Sequence, residues 1–137
     1  MSVGIFPAVF ILLLVGHYLA DYPGQTDHQA GHKADRTAEG WRANAAHAGT
    51  HVALTASLLG LGALALNLPL TAPGIAVALA WVGASHSFID RRWAVRWWME
   101  NTGQRDFLAH GGAAHVDQAA HLGLGLLPAA LVLAALS

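Results

Sequence analysis

Apolar positions fall into four blocks, at about residues 3–22, 44–68, 73–95 and 113–136, separated by two polar stretches and one short turn. Crossing the hydrocarbon takes roughly 20 helical residues, and each block comes close to that length. None alternates apolar and polar residues as a barrel strand would, and a bilayer admits only helices or closed barrels. The pattern predicts an all-α fold: a four-transmembrane-helix bundle forming one integral membrane domain over residues 1–137. The third block is uninterrupted only to Asp90. It reaches Val95 if Arg91 and Arg92 snorkel along the helix surface.

The connections differ in kind. Asn67 to Pro73 is short, uncharged and holds two prolines, which predicts a tight hairpin. Residues 23–43 and 91–112 are polar. Within the second, Trp93 to Met99 reads as a short interfacial helix, because tryptophan favours the headgroup level. The first block has no Lys or Arg ahead of it, and no small-residue cleavage site follows it. It therefore reads as a retained span and not as a signal peptide.

Composition agrees with a membrane protein. Hydrophobic residues make up 55% of the 137 and charged residues 11%, against roughly 25% charged in a soluble domain. Net charge is −1, so nothing points to nucleic acid. The chain has no cysteine, which excludes disulfides, zinc fingers, Fe–S clusters and covalent c-type haem. All seven Lys and Arg lie in the two polar stretches. With four spans both stretches fall on one side, and the positive-inside rule makes it cytoplasmic, with the N- and C-termini outside. The Ala- and Gly-rich composition suggests a bacterial cell membrane as the location.

Nine histidines change the picture further. The first block ends with His17 and Asp21, the second begins with His47 and His51, the third ends with His86 and Asp90, and the fourth begins with Asp117 and His121. Each pair is spaced i, i+4 and so shares a helical face. Alternate helices run in opposite directions, so all four pairs come to one level near the cytoplasmic side. Ionisable groups inside a membrane are costly, and their default reading is functional.

Neutral imidazole and carboxylate suit a divalent metal, and helical bundles build such sites from facing side chains. Zn²⁺ is the first choice, with Mn²⁺ and Fe²⁺ as alternatives; eight donors would serve two ions, or one ion with supporting partners. The accompanying aspartates are not expected for haem. Gln25, Asp27 and Gln118 are auxiliary candidates that would hydrogen-bond ligands, and His115 is a further donor. Lys33 and Arg91 would meet an anionic substrate. His28 and His32 lie in a polar stretch and read as solvated. A single His–Asp pair can also be a self-satisfied hydrogen bond, so a hydrogen-bonded polar core is the competing account.

The run His17, Asp21, Tyr22, Pro23, Gln25 and Asp27, with Lys33, His47/His51, His86 to Arg91, and Asp117/Gln118/His121, resembles an uncharacterised bacterial family of small multipass membrane proteins, defined as a domain of unknown function. The resemblance covers nearly the whole chain. It implies a membrane location and no particular activity. A looser similarity is to membrane-bound metal-dependent hydrolases, which place His and Asp at helix ends.

Three function classes follow. A metal-dependent hydrolase would use the centre to activate water on a membrane-associated substrate such as a lipid-linked phosphoester. Metal transport or sensing would use the same donors transiently, although transporter sites usually sit mid-membrane between broken helices; four helices would need a homo-oligomer to form a pathway. A structural or accessory subunit would use the cluster only to fix helix packing.

Overall fold

The computed structural model describes residues 4–137, and the predicted start of the first span at Val3 lies outside them. The fold is all-helical, with no strand among the described residues. Four long helices make the body: α1 (Ile5–Asp21), α3 (Ala38–Leu66), α4 (Ala72–Asp90) and α7 (Ala113–Ala135). The last three are long and apolar enough to cross a membrane, and α1 is a shorter apolar helix. Three short helices lie in the polar stretches: α2 (Asp27–His32), α5 (Trp93–Asn101) and α6 (Arg105–Ala109).

Local chemistry sets the boundaries. Thr26, Thr37 and Thr71 each accept a hydrogen bond from the backbone N–H three residues on, which caps α2, α3 and α4. Gln29 returns a bond to the Thr26 N–H and completes a capping box. The Thr37 cap starts α3 at Ala38, six residues before the expected Asn44, so its first turns carry polar residues. At the other end Asn67 takes a left-handed conformation, φ 50°, and turns the chain into the hairpin. The third span does not borrow residues 91–95. It stops at Asp90, because Arg92 also adopts a left-handed backbone, φ 59°, and α5 starts afresh at Trp93. The short helix expected at Trp93 to Met99 is α5, which runs on to Asn101.

The long helices pack in the cyclic order α1, α3, α4, α7, each against two neighbours. Gly62 of α3 sits against Leu12 of α1, where an added Cβ would overlap the leucine. Ser87 near the end of α4 pairs with Asn44 near the start of α3, and Thr71 at the start of α4 donates to the Leu136 carbonyl at the end of α7, so adjacent helices are antiparallel. Toward the hairpin the interior is apolar: Ile5, Val9, Leu13, Leu59, Ala78, Val82, Ala129, Ala130 and Leu133. A smaller cluster of Ile89, Val95 and Met99 seats α5 on the bundle.

One irregularity sits in α7. Residues His121–Leu126 form a π-helical segment containing Gly123 and Gly125. Pro128 follows, and having no N–H it cannot bond the Leu124 carbonyl four residues back. The indole of Trp81 donates to that carbonyl instead, at 3.0 Å. The distortion is therefore tied to α4, and the Leu124 carbonyl keeps a partner.

Candidate metal centre

At the end of the bundle away from the hairpin, apolar interior gives way to imidazole and carboxylate. His17, Asp21, His47, His51, His86, Asp90 and His121 are all buried, and Asp117 is half-buried. The i, i+4 spacing aims each pair inward, and the antiparallel order brings all four pairs to one level.

Asp21 is one hub. Its Oδ1 lies 3.2 Å from Nε2 of His47, 3.2 Å from Nε2 of His51 and 3.6 Å from Nε2 of His86. Its Oδ2 lies 3.2 Å from Nε2 of His17. Asp90 is the second hub, with Oδ2 3.0 Å from Nε2 of His86 and 3.3 Å from Nε2 of His47. Its Oδ1 is 3.0 Å from the buried Lys33 ammonium and 3.9 Å from Nε2 of His121. The rings of His51 and His86 stack with centroids 3.4 Å apart. His121 is oriented through Nδ1, which lies 3.0 Å from the Asp117 carbonyl oxygen.

Four sets of donors among the described residues are spaced to hold a cation. One, His28, His32 and Glu39, lies apart in the first polar stretch; the other three are His17, Asp21, His51 and His86; His47, His86 and Asp90; and Asp90, Asp117 and His121. These three overlap at His86 and Asp90, so they form one continuous cluster. Several of its polar atoms are buried without a hydrogen-bond partner: Nε2 of His86 and His121, Oδ2 of Asp90 and Oδ1 of Asp117. Leaving such an atom unsatisfied costs about 1–3 kcal/mol. His86 and Asp90 touch without the alignment of a hydrogen bond, as two donors to a shared ion would. The charge balance points the same way. Three carboxylates, of Asp21, Asp90 and Asp117, share the cluster with one buried ammonium, that of Lys33 on Asp90.

Gln118 fixes one tautomer. Its amide N–H donates to Oδ2 of Asp21 at 3.1 Å, so its Oε1, 3.1 Å from Nε2 of His17, accepts from that ring. His17 thus carries its proton on Nε2 in this arrangement. Ligation through that atom requires Gln118 to release it.

The other auxiliary candidates are placed less centrally. Gln25 donates to the Asp21 carbonyl at 2.9 Å, holding the end of α1. The Lys33 ammonium is buried and ion-paired to Asp90. Arg91 is buried as well. Its guanidinium donates to the Lys33 carbonyl at 3.0 Å and to the Asp35 carbonyl, and lies 3.9 Å from the Trp41 ring centroid and 4.5 Å from that of Trp93. It bolts the α2–α3 turn to the end of α4 and so positions Lys33. Asp27 is exposed in the first turn of α2, and His115 is exposed with its ring stacked on Phe107. His28 is exposed and His32 half-buried. His32 lies 2.9 Å from Asp35, which raises its pKa above the usual imidazole value.

Sequence reasoning missed Asn44, buried one turn before His47 with its amide on the Ser87 carbonyl at 3.1 Å. Its i, i+3 spacing to His47 was the available signal. It also missed a cavity of about 530 Å³ beside the cluster, lined by Tyr22, Arg92, Arg96, Asp117 and Gln118 among others.

No curated protein and no solved structure matches this chain. The family model described as "Protein of unknown function (DUF3307)" matches residues 9–134, and the chain belongs to that family.

Proposed function

We propose that the protein is a bacterial integral membrane protein of four spans that holds a divalent metal, zinc first, at the cytoplasmic end of the bundle and uses it for hydrolysis. The observation that carries this reading is the convergence of five imidazoles and three carboxylates from all four long helices, with buried donor atoms left unmatched. His47, His51, His86 and His121, with Asp21 and Asp90, would hold the metal. A bound divalent ion there would supply Lewis-acid activation of water. Asp117 suits a general base, because it spans the cluster and the cavity and its Oδ1 is unpartnered. Lys33 holds Asp90 in place through their ion pair, and Gln118 orients Asp21 and His17.

The orientation rests on basic residues. Lys33, Arg36, Arg42, Arg91, Arg92, Arg96 and Arg105 all lie at the cluster end, and the hairpin end has none. By the positive-inside rule this supports a cluster on the cytoplasmic side with both termini outside. Reporter fusions at Ser137 and near Arg36 test it; a cytoplasmic signal at Ser137 would overturn the topology.

The Gln118–His17–Asp21 hydrogen bonds favour a second reading, in which the cluster is a polar core that fixes helix packing. Elemental analysis of detergent-purified protein separates the two. The wild type, loaded in turn with Zn²⁺, Mn²⁺ and Fe²⁺ at neutral pH, is expected to retain stoichiometric metal, and Asp90→Asn to lose it while remaining helical. Metal-free wild type after all three loadings would reject the metal site and leave the polar core.

A further inference from the structure

The cavity beside the cluster adjoins a second, larger one of a different character. A groove of about 940 Å³ runs between α4, α5 and α7, and its walls are almost wholly apolar, including Trp81, Phe88, Trp97, Trp98 and Leu124. Val95 lines both spaces, so they abut under α5. In the polar cavity Arg92 and Arg96 are exposed at the rim, whereas Asp117 and Gln118 are half-buried toward the cluster. Arg96 has one nitrogen, Nε, on Glu100 at 3.0 Å. Among the described residues Arg92 makes no ion pair, and it is held in the left-handed conformation that directs the chain from α4 into α5. Non-glycine residues adopt that conformation at a cost, and such positions concentrate where a side chain has a task.

A polar, arginine-rimmed chamber that adjoins an aromatic groove at membrane depth matches an amphiphile. Guanidinium groups bind phosphate through paired N–H donors, and the groove is wide enough for a hydrocarbon chain. Gln118 touches both the chamber and Asp21, so a headgroup in the chamber lies one side chain from the cluster.

We propose that chamber and groove form one site for a membrane lipid with a phosphate monoester headgroup, the head against Arg92 and Arg96 and an acyl chain in the Trp97/Trp98 groove. Binding stands on these two spaces alone; that the lipid is a substrate rests on the metal-hydrolase reading above. Bulk lipid would occupy the groove without regard to headgroup, so headgroup preference is the property to measure.

The test uses the full chain in nanodiscs of phosphatidylcholine containing a minority of phosphatidic acid, with native mass spectrometry of retained lipid and zinc content measured on the same samples. Wild type is expected to retain phosphatidic acid preferentially. Arg92→Gly, which removes the charge and suits the left-handed backbone, and Arg96→Gln should each reduce the preference about five-fold, the worth of one basic residue beside an anionic headgroup. Arg36→Gln, which removes a basic residue outside the chamber, should leave it unchanged. Ala119→Leu, which narrows the groove and spares both arginines, should also reduce retention. Equal retention of the two lipids by wild type, or an Arg36→Gln loss as large as that of Arg92→Gly, would overturn the proposal. Zinc retained without lipid preference rejects this site alone. Lipid preference retained in protein that holds none of Zn²⁺, Mn²⁺ or Fe²⁺ after loading with each rejects the metal-hydrolase reading alone.

Discussion

The same four helices meet twice, through different chemistry. Toward the hairpin they meet through Leu13, Leu59, Val82 and Leu133, all nearly inaccessible to solvent. Toward the other end they meet through His17, His51, His86 and His121, equally inaccessible. On α1 and α4 the change from apolar residue to imidazole takes a single turn, Leu13 to His17 and Val82 to His86. The apolar half is complete as it stands, since its side chains need only contact. The polar half is complete only if every donor and acceptor finds a partner, and several do not. One half of the bundle holds the helices together; the other uses that rigidity to keep eight polar side chains at fixed separations.

Substitutions of similar size should therefore act differently in the two halves. The largest effect is expected from Asp21→Asn, which alters the carboxylate that four imidazoles approach; stoichiometric metal should be lost, as read by elemental analysis, with helical circular dichroism retained. Metal retention in this variant would remove Asp21 from the ligand set. Next in size is acid. A ligating imidazole must be neutral, and protons compete for it below a pH of about 6.5. Occupancy measured after equilibration at stepped pH should fall as pH drops below that value. Occupancy that does not change with acid would mean that the histidines are not the main ligands.

In the apolar half, Leu133→Ala should lower stability by about 2 kcal/mol. Lipid is as apolar as the core, so the cost is mainly the cavity left behind. Metal content should be unchanged, and coupled loss of metal would show that the halves are not independent. Arg91→Lys keeps the charge but not the two-pronged grip on the Lys33 and Asp35 carbonyls. About 1 kcal/mol should be lost, with faster proteolysis in the α2–α3 turn. The smallest effect is expected at Asp35→Asn. A raised His32 pKa adds stability below the ordinary imidazole value that fades as pH rises through the raised one. The His32 side chain is 43% accessible to solvent, which screens the pair, so the change should appear as a lower His32 titration midpoint by NMR and not in Tm.

Periodicity made the four blocks readable because apolar length and i, i+4 spacing are local properties. The level shared by the four pairs was readable too, since it needs only alternating helix direction. Other features depended on contacts between distant segments. Lys33 and Arg91 looked alike as cations near a polar site, yet one neutralises Asp90 and the other grips backbone carbonyls between two tryptophans. Nothing in a linear pattern separates those roles. The early start of α3 at Ala38 was obscured because its first turns are polar, and only the Thr37 cap marks it. The left-handed Arg92 gave no warning, because glycine or asparagine is the usual occupant of such a position.

The π segment of α7 solves a problem of phase. A regular α-helix advances about 100° per residue, so His121 and Ala130, nine residues apart, would point to opposite sides. Both are buried in the bundle interior, at 2% and 0% exposure. The wider turns of residues His121–Leu126 hold an extra residue and retard the rotation by about one residue's worth, turning the apolar end of the helix back toward the axis that the histidine faces. α7 thus works as two helices geared together at different angles. One further residue inserted between His121 and Pro128 would shift that gearing and turn one half of the helix outward, even though every side chain of the cluster remained in the sequence, whereas deleting one would leave a regular α-helix in the same phase.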